Sequence, residues 1–386
     1  MSEVHAGGLP DLDLFKEVPS PSLVFFPEVI ANNVAELIRM VGNDPARLRS
    51  HCKTHKSSRV AKILLDQGIE KHKCATLAEA KMLIQAGVRD ILISYPLVGP
   101  HPAILRRMAA DFPEVRFSFL VDEPSEIPKL AATFADSRTR PGLFIDLDGG
   151  MGRTGIDVSG AQGQRKIAQL VETIAVQGFK LFGVQLYDGH VNQEKSSDRH
   201  EAAAGLWRRV ESLRAEIPAL QAPQIEVVVG GSPSFMVHSG LDWQGVTHSP
   251  GTVVLHDHGY GSKYQDMESF QWGAAVLTRV ISKPVPGRMT LDLGHKSVAA
   301  DPPLEKRAWF PAMRDAKLLL QNEEHLVVST AIADQTPLGT LFWAIPWHIC
   351  PTVALHEKAL VFADNQLKSW WPIEARTRFT GYEMPS

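Results

Sequence analysis

Residues 71–95 read KHKCATLAEAKMLIQAGVRDILISY. Two strand-like runs, KHKCA (Lys71–Ala75) and DILISY (Asp90–Tyr95), flank a stretch with Ala80, Leu83, Ile84 and Val88 at helical spacing. Gly87 supplies the stop. This is one strand–helix–strand unit, and the alternation continues on both sides of it. Upstream lie LVFF (Leu23–Phe26) and LRSHCK (Leu48–Lys53). Downstream lie VRFSFLVD (Val115–Asp122), GLFIDLD (Gly142–Asp148), LFGVQLY (Leu181–Tyr187), EVVVGG (Glu226–Gly231) and GVTHSPG (Gly245–Gly251). Ile167, Leu170, Val171 and Ile174 mark a second helix, ending at Gly178, and Leu206, Val210 and Leu213 a third. Eight or nine strands separated by helices over about 230 residues predict serial right-handed crossovers. Such a series closes into an α/β structure of the (β/α)8 TIM-barrel type. The rival is a doubly wound open sheet, but no Gly-x-Gly-x-x-Gly follows the first strand.

After Gly259 the helical period fades. Ala274–Ser282, Gly287–Gly294, Ala316–Gln321, His325–Thr330 and Ala359–Ile373 read as short strands divided by turn residues. The expected organisation is therefore an N-terminal barrel over residues 22–258 and an all-β domain from 1–21 and 259–386. The 386 residues carry 40 Lys and Arg against 43 Asp and Glu, a net charge of −3. That balance, with no dense basic block, predicts no nucleic-acid partner. No apolar run approaches the roughly 18 residues of a membrane-spanning helix. The opening residues lack a basic region followed by an apolar one, so no secretory signal is expected. Three cysteines, Cys52, Cys74 and Cys350, do not make a disulfide framework, and a reducing cytoplasm fits them.

Arg49-Ser50-His51-Cys52-Lys53-Thr54-His55-Lys56 is the densest polar cluster and ends an early barrel strand, where barrel enzymes place their chemistry. A charge run of this kind is also what a solvated turn looks like. Strand alternation points His51 and Lys53 to one side. A desolvated lysine among other cations becomes a nucleophilic amine suited to an imine. Gly230-Gly231-Ser232 and Ser249-Pro250-Gly251-Thr252 follow the last two barrel strands, the usual place of a phosphate cradle. Plain turn glycines are the alternative for either stretch alone. After two other strands come Asp148-Gly149-Gly150-Met151-Gly152-Arg153 and Tyr187-Asp188-Gly189-His190. There Arg153 could face a phenolate or carboxylate, Tyr187 a ring, and His190 could act as a base. In the β domain His348 and Cys350, on an extended strand, would project to one face and could chelate one ion, zinc first by ligand softness. Asp292, His295, Glu324 and His325 lie on neighbouring segments and could add ligands. His256-Asp257-His258 reads as a loop, since adjacent strand residues face opposite ways.

Arg49-x-His51-x-Lys53-Thr54-His55-Lys56, the stretch from Asp146 through Asp148-Gly149-Gly150-Met151-Gly152-Arg153-Thr154-Gly155, Tyr187, Gly230-Gly231, Pro250-Gly251-Thr252 and Pro346-x-His348-x-Cys350-Pro351-Thr352-Val353 occur in one order. This order resembles the D-threonine aldolase and D-serine dehydratase family of pyridoxal-phosphate enzymes, which have the alanine-racemase fold (fold type III). The resemblance covers nearly the whole chain. It implies a barrel, a C-terminal β domain, pyridoxal 5'-phosphate in an aldimine with Lys53, and a divalent metal near it. By position, His51, Arg153, Tyr187, Gly230, Gly231, Ser232, Gly251 and Thr252 would bind the cofactor, and Lys53 and His190 would be catalytic. His348 and Cys350 would hold the metal. The family's aldolases carry His-x-Asp there and take Mn or similar ions, while its dehydratases carry His-x-Cys and hold Zn. The implied substrate is a β-hydroxy-D-amino acid. D-Threonine cleavage to glycine and acetaldehyde comes first, with dehydration of D-serine, or dehydration or aldol cleavage of D-threo-3-hydroxyaspartate, as the alternative. Relatives of this fold form homodimers, which the resemblance implies here too.

Overall fold

The computed structural model describes residues 8–240 and 245–383; residues 1–7, read above for a secretory signal, lie outside them. β1 (Ser22–Phe25) is buried at all four positions. Eight parallel strands then build one sheet: β2 (Arg49–His51), β3 (Lys71–Cys74), β4 (Asp90–Pro96), β5 (Arg116–Val121), β6 (Gly142–Asp148), β8 (Leu181–Tyr187), β9 (Glu226–Val229) and β10 (Val246–His248). The two-residue β7 (Ile156–Asp157) pairs with the end of β6. A parallel bridge from Leu48 to His248 and a hydrogen bond from the His51 N–H to the Pro250 carbonyl (3.0 Å) bring the last strand back to the first. The expected barrel is thus near-closed, and among the described residues its path has eight strands, with β7 paired off it.

The helices between strands follow the apolar periods. Leu77–Gln85 is capped by Thr76, whose hydroxyl accepts the Glu79 N–H at 3.1 Å. Ala161–Val176 buries Ile167, Leu170 and Ile174. The barrel interior is layered. Leu92, Leu120, Phe144 and Val228 form an apolar layer. Another is ionic: Arg49, fully buried, is held by both carboxylate oxygens of Glu226 (2.9 and 2.7 Å) and by Asp90 (2.8 Å). Burial alone would raise the Glu226 carboxyl, but the charge and hydrogen bonds of Arg49 win and hold it down at about 2.

The β unit contains β11 (Ala274–Ser282), β12 (Arg288–Leu291), β13 (Ala308–Trp309), β14 (Lys317–Gln321), β15 (Leu326–Ser329), β16 (Leu341–Pro346), β17 (Lys358–Ala363) and β18 (Gln366–Pro372). Its boundaries differ from those expected. The two compact units are 1–36, 54–63 and 252–376 on one hand, and 37–53, 64–251 and 377–386 on the other. β1, expected to open the barrel, pairs antiparallel with β11 and parallel with β17 instead. An apolar run buried on both faces suits either sheet, so period alone could not assign it. The single strand expected over Ala359–Ile373 is a hairpin. Asp364 and Asn365, both at positive φ (49° and 56°), turn β17 into β18 as the twist of paired strands requires. Beyond that unit, Thr377–Glu383 packs on the barrel. Lys81 donates to the Thr380 carbonyl (2.5 Å), Arg107 to that of Tyr382, and the Tyr382 hydroxyl to Asp111 (2.6 Å).

Candidate active site and metal pair

Lys53 sits two residues beyond the end of β2, and its backbone N–H donates to His51 Nδ1 at 3.3 Å. His51 therefore holds the turn that presents Lys53. The Lys53 ammonium makes no ion pair or hydrogen bond among the described residues. It lies 5.8 Å from the centroid of the Tyr187 ring, and the Arg153 guanidinium lies 4.4 Å from the same centroid. Arg153 is carried there by a loop wound around three acids. The Asp148 carboxylate accepts the amides of Gly150, Met151 and Gly152 (2.8, 2.7 and 2.8 Å). Asp146 accepts the Thr154 hydroxyl (2.8 Å), and Asp122 the Gly155 amide (3.0 Å). Gly152 takes a positive φ of 63° to make that winding possible.

Tyr187 is backed by the glycine turn after β9. A Cβ on Gly231 would stand 3.3 Å from its ring, and Gly230 adopts φ +80°. The Ser232 hydroxyl accepts the Gly251 amide at 3.3 Å, so the two expected cradle loops are stitched together within the barrel unit. His190 follows in the loop after β8. Its Nδ1 is buried and has no hydrogen-bond partner among the described residues.

Behind this group runs a polar chain that the spacing did not reveal. Trp207 Nε1 donates to His238 Nδ1 (2.9 Å), which forces the His238 proton onto Nε2, where it meets Asp188 (2.6 Å). Asp188 also accepts the Ser234 hydroxyl (2.7 Å), and Ser234 in turn accepts the Gly231 amide (3.0 Å). Removing one partner from so buried a chain leaves an unmade bond. Trp207→Phe is expected to lower stability by about 1–3 kcal/mol, read by urea denaturation. An unchanged midpoint would show that His238 finds another donor.

In the β unit His348 and Cys350, the residues expected to hold a metal, lie beside one another, though not on a strand. β16 stops at Pro346. His348 is the extended N-cap of a helix over Ile349–Leu355, and Cys350 lies in its first turn. His348 Nδ1 bonds Asp301 at 2.6 Å, which leaves its other nitrogen for Cys350. Burial opposes charge on the imidazole, but the Cys350 and Asp301 contacts raise it to about 9. Burial likewise opposes the thiolate, yet His348, Thr252 and Thr54 bring Cys350 below its usual range. The Thr54 and Thr252 hydroxyls stand 3.2 and 3.4 Å from its sulfur. Thr252, expected in the cradle, thus presents its hydroxyl to Cys350. Asp257, a loop residue by its sequence, is a buried cap. It accepts the Tyr260 amide (2.9 Å) and the Ile349 amide between the two metal candidates (3.1 Å), and burial pushes its carboxyl up to about 6.

The carboxylate beside His348 is therefore Asp301. Asp292, one of the four suggested extra ligands, is engaged elsewhere, with the Thr278 hydroxyl and the Arg279 amide (2.7 and 2.8 Å). A second convergence, His51, Cys52 and Glu79, brings three donor atoms within 4.8 Å of one another. Glu79 there already accepts the Ala75 amide at 2.6 Å, which ties the cluster to the strand-to-helix turn.

The family described as "Alanine racemase, N-terminal domain" matches residues 27–254, more than half of the chain. The chain belongs to this family, the fold-type III pyridoxal-phosphate enzymes. A second description, "Putative serine dehydratase domain", matches residues 273–362. Together these make the protein a pyridoxal-phosphate enzyme of the lyase kind. It is 26% identical over 375 residues to a D-threonine aldolase of Arthrobacter sp, covering 94% of each chain. The solved D-threonine aldolase from Filomicrobium marinum superposes with a TM-score of 0.82 at 22% identity, over 94% of this chain and 96% of that one. A cysteine-to-alanine variant of D-threo-3-hydroxyaspartate dehydratase, in its metal-free form, matches with a TM-score of 0.77 at 23% identity, over 93% and 98% of the two chains.

The barrel residues fit the cofactor. A lysine with no counter-ion among the described residues faces an aromatic ring, and a side chain on the adjoining Gly231 would crowd that ring. The donor set of His348 and Cys350 fits a thiophilic divalent ion. Two protein ligands also leave coordination positions for water or substrate.

Proposed function

We propose that the protein is a pyridoxal-phosphate- and divalent-metal-dependent lyase that cleaves β-hydroxy-D-amino acids, with D-threonine giving glycine and acetaldehyde. The observation carrying this reading is the imidazole–thiolate pair His348–Cys350, oriented by Asp301, in a chain that also presents Lys53 against Tyr187. Such a pair serves a reaction in which a substrate hydroxyl must be activated, as bound metals do for water. Pyridoxal phosphate would supply an electron sink for the bond that breaks at Cα.

The chain's own residues do the rest. Lys53 anchors the cofactor. Tyr187 and Arg153 hold its ring, while Gly230, Gly231, Ser232 and Gly251 receive its phosphate. The free Nδ1 of His190 takes the hydroxyl proton, which allows the Cα–Cβ bond to open. Zinc is the proposed ion, on ligand softness. The full-length similarity to an aldolase supports carbon–carbon cleavage. Dehydration of D-serine or of a 3-hydroxyaspartate is the second reading, favoured by the His-x-Cys pair.

Incubation with D-threonine is expected to release glycine and acetaldehyde. A keto acid and ammonia without glycine would replace the first reading by the second. Chelation is expected to abolish turnover and zinc to restore it; full activity in a metal-stripped preparation overturns the metal assignment. Among the described residues no helix is long and apolar enough to cross a membrane. We place the enzyme in the cytoplasm as a homodimer, to be checked by fractionation and by light scattering.

A further inference from the structure

Lys73 is only 2% exposed, on a barrel strand whose register sets it opposite His51. Its carbonyl accepts the Cys52 N–H at 2.9 Å, so its backbone abuts the residue just before Lys53. Among the described residues its side chain makes no ion pair and donates no hydrogen bond. The charged groups that face it are Lys53 from the turn after β2, Asp146 from β6, Asp188 from the loop after β8 and Arg49 from β2. Arg49 is already neutralised by Glu226 and Asp90. An ammonium in this position has lost its water, touches no counter-ion and is repelled by Lys53. Its uncharged form is the one the site favours.

We propose that Lys73 is a second functional amine of the cofactor pocket, the proton acceptor that delivers Lys53 as a free amine. This rests on the reading of Lys53 as the cofactor's anchor. A proton passes from the Lys53 ammonium through one bridging water to the lone pair on Lys73 Nζ, because the two amines share no direct hydrogen bond among the described residues. Lys53 becomes neutral and Lys73 cationic, with the total charge unchanged. The lone pair on Lys53 is then free to bond a carbonyl carbon. Asp146 and Asp188, too far to fix Lys73 in an ion pair, still favour the proton once it arrives. Burial first, and the charge of Lys53 next, lower the Lys73 amine to about 7, where it can both accept and release a proton near neutrality.

The test follows capture of pyridoxal phosphate by the apoprotein, through growth of the visible band of lysine-bound cofactor, across neutral pH. Lys73→Met removes charge and acceptor together. Lys73→Arg keeps the charge but accepts no proton. In the unmutated chain the capture rate is expected to pass an inflection near 7. Both variants are expected to lose that inflection and to slow by roughly 10²-fold. Capture at the original rate by Lys73→Arg would show that charge alone suffices and overturn the proposal, as would an unchanged pH profile in Lys73→Met.

A second measurement needs no variant. Reductive methylation of the unmutated apoprotein, mapped by mass spectrometry, should half-modify Lys73 near pH 7. A midpoint near the roughly 10.4 of an ordinary lysine overturns the assignment. An unmutated chain that takes up no cofactor overturns the parent reading and this one together. A coloured chain whose variants behave identically overturns only the role of Lys73.

Discussion

Lys53→Ala is expected to leave a folded chain that binds pyridoxal phosphate without the visible band of the lysine-bound form and turns over at least about 10³-fold more slowly. The side chain can be removed at little structural cost, because its ammonium makes no ion pair or hydrogen bond among the described residues and only faces the Tyr187 ring. Borohydride reduction of the loaded protein, followed by peptide mapping, should place the cofactor on Lys53 in the unmutated chain. A Lys53→Ala protein that keeps the band would move the anchor elsewhere and remove the basis of the functional reading.

Arg49→Met is expected to be the most destabilising single change in the barrel interior. It strands Glu226 beneath the apolar layer and removes the strongest partner of Asp90. Breaking a buried pair from one side costs about 3–5 kcal/mol. The pH dependence fixes the sign. The Glu226 carboxyl is held at about 2 in the folded chain, against roughly 4.3 when unfolded. Its contribution is therefore fully present above the unfolded value and is lost as pH falls from there toward 2. Urea melts at neutral pH and through that acid window should show the loss in the unmutated chain and its absence in Arg49→Met. Equal stabilities at neutral pH would mean that water has replaced the arginine.

The barrel was legible because each strand–helix unit repeats the same contrast between a short apolar run and a 3.6-residue period, as in residues 71–95. β1 was misplaced because Leu23-Val24-Phe25 is apolar on both faces and names no neighbour. For the candidate site, strand ends located Lys53, Arg153, Tyr187 and Gly231, and the folded chain brings these four together. Alternation gives the side of a strand, not the partner across the barrel. Lys73 stood in the quoted stretch as one more lysine. Only its burial and its facing charges set it apart. Asp188 and His238 lie 50 positions apart, and Asp301 precedes His348 by 47, distances no local pattern spans. Cys350 joined His348 through the first turn of a helix, a geometry hidden by the extended reading of Pro346–Thr352.

The pairing of β1 carries a consequence for how this polypeptide is made. Its partners β11 and β17 leave the ribosome about 250 and more residues after it. At roughly 5–20 residues per second, the nascent chain holds a largely apolar strand without a mate for roughly ten to fifty seconds. Throughout that interval it is a ready target for holdase chaperones and for association between neighbouring polysomes, so the yield of active enzyme will follow translation speed and chaperone supply.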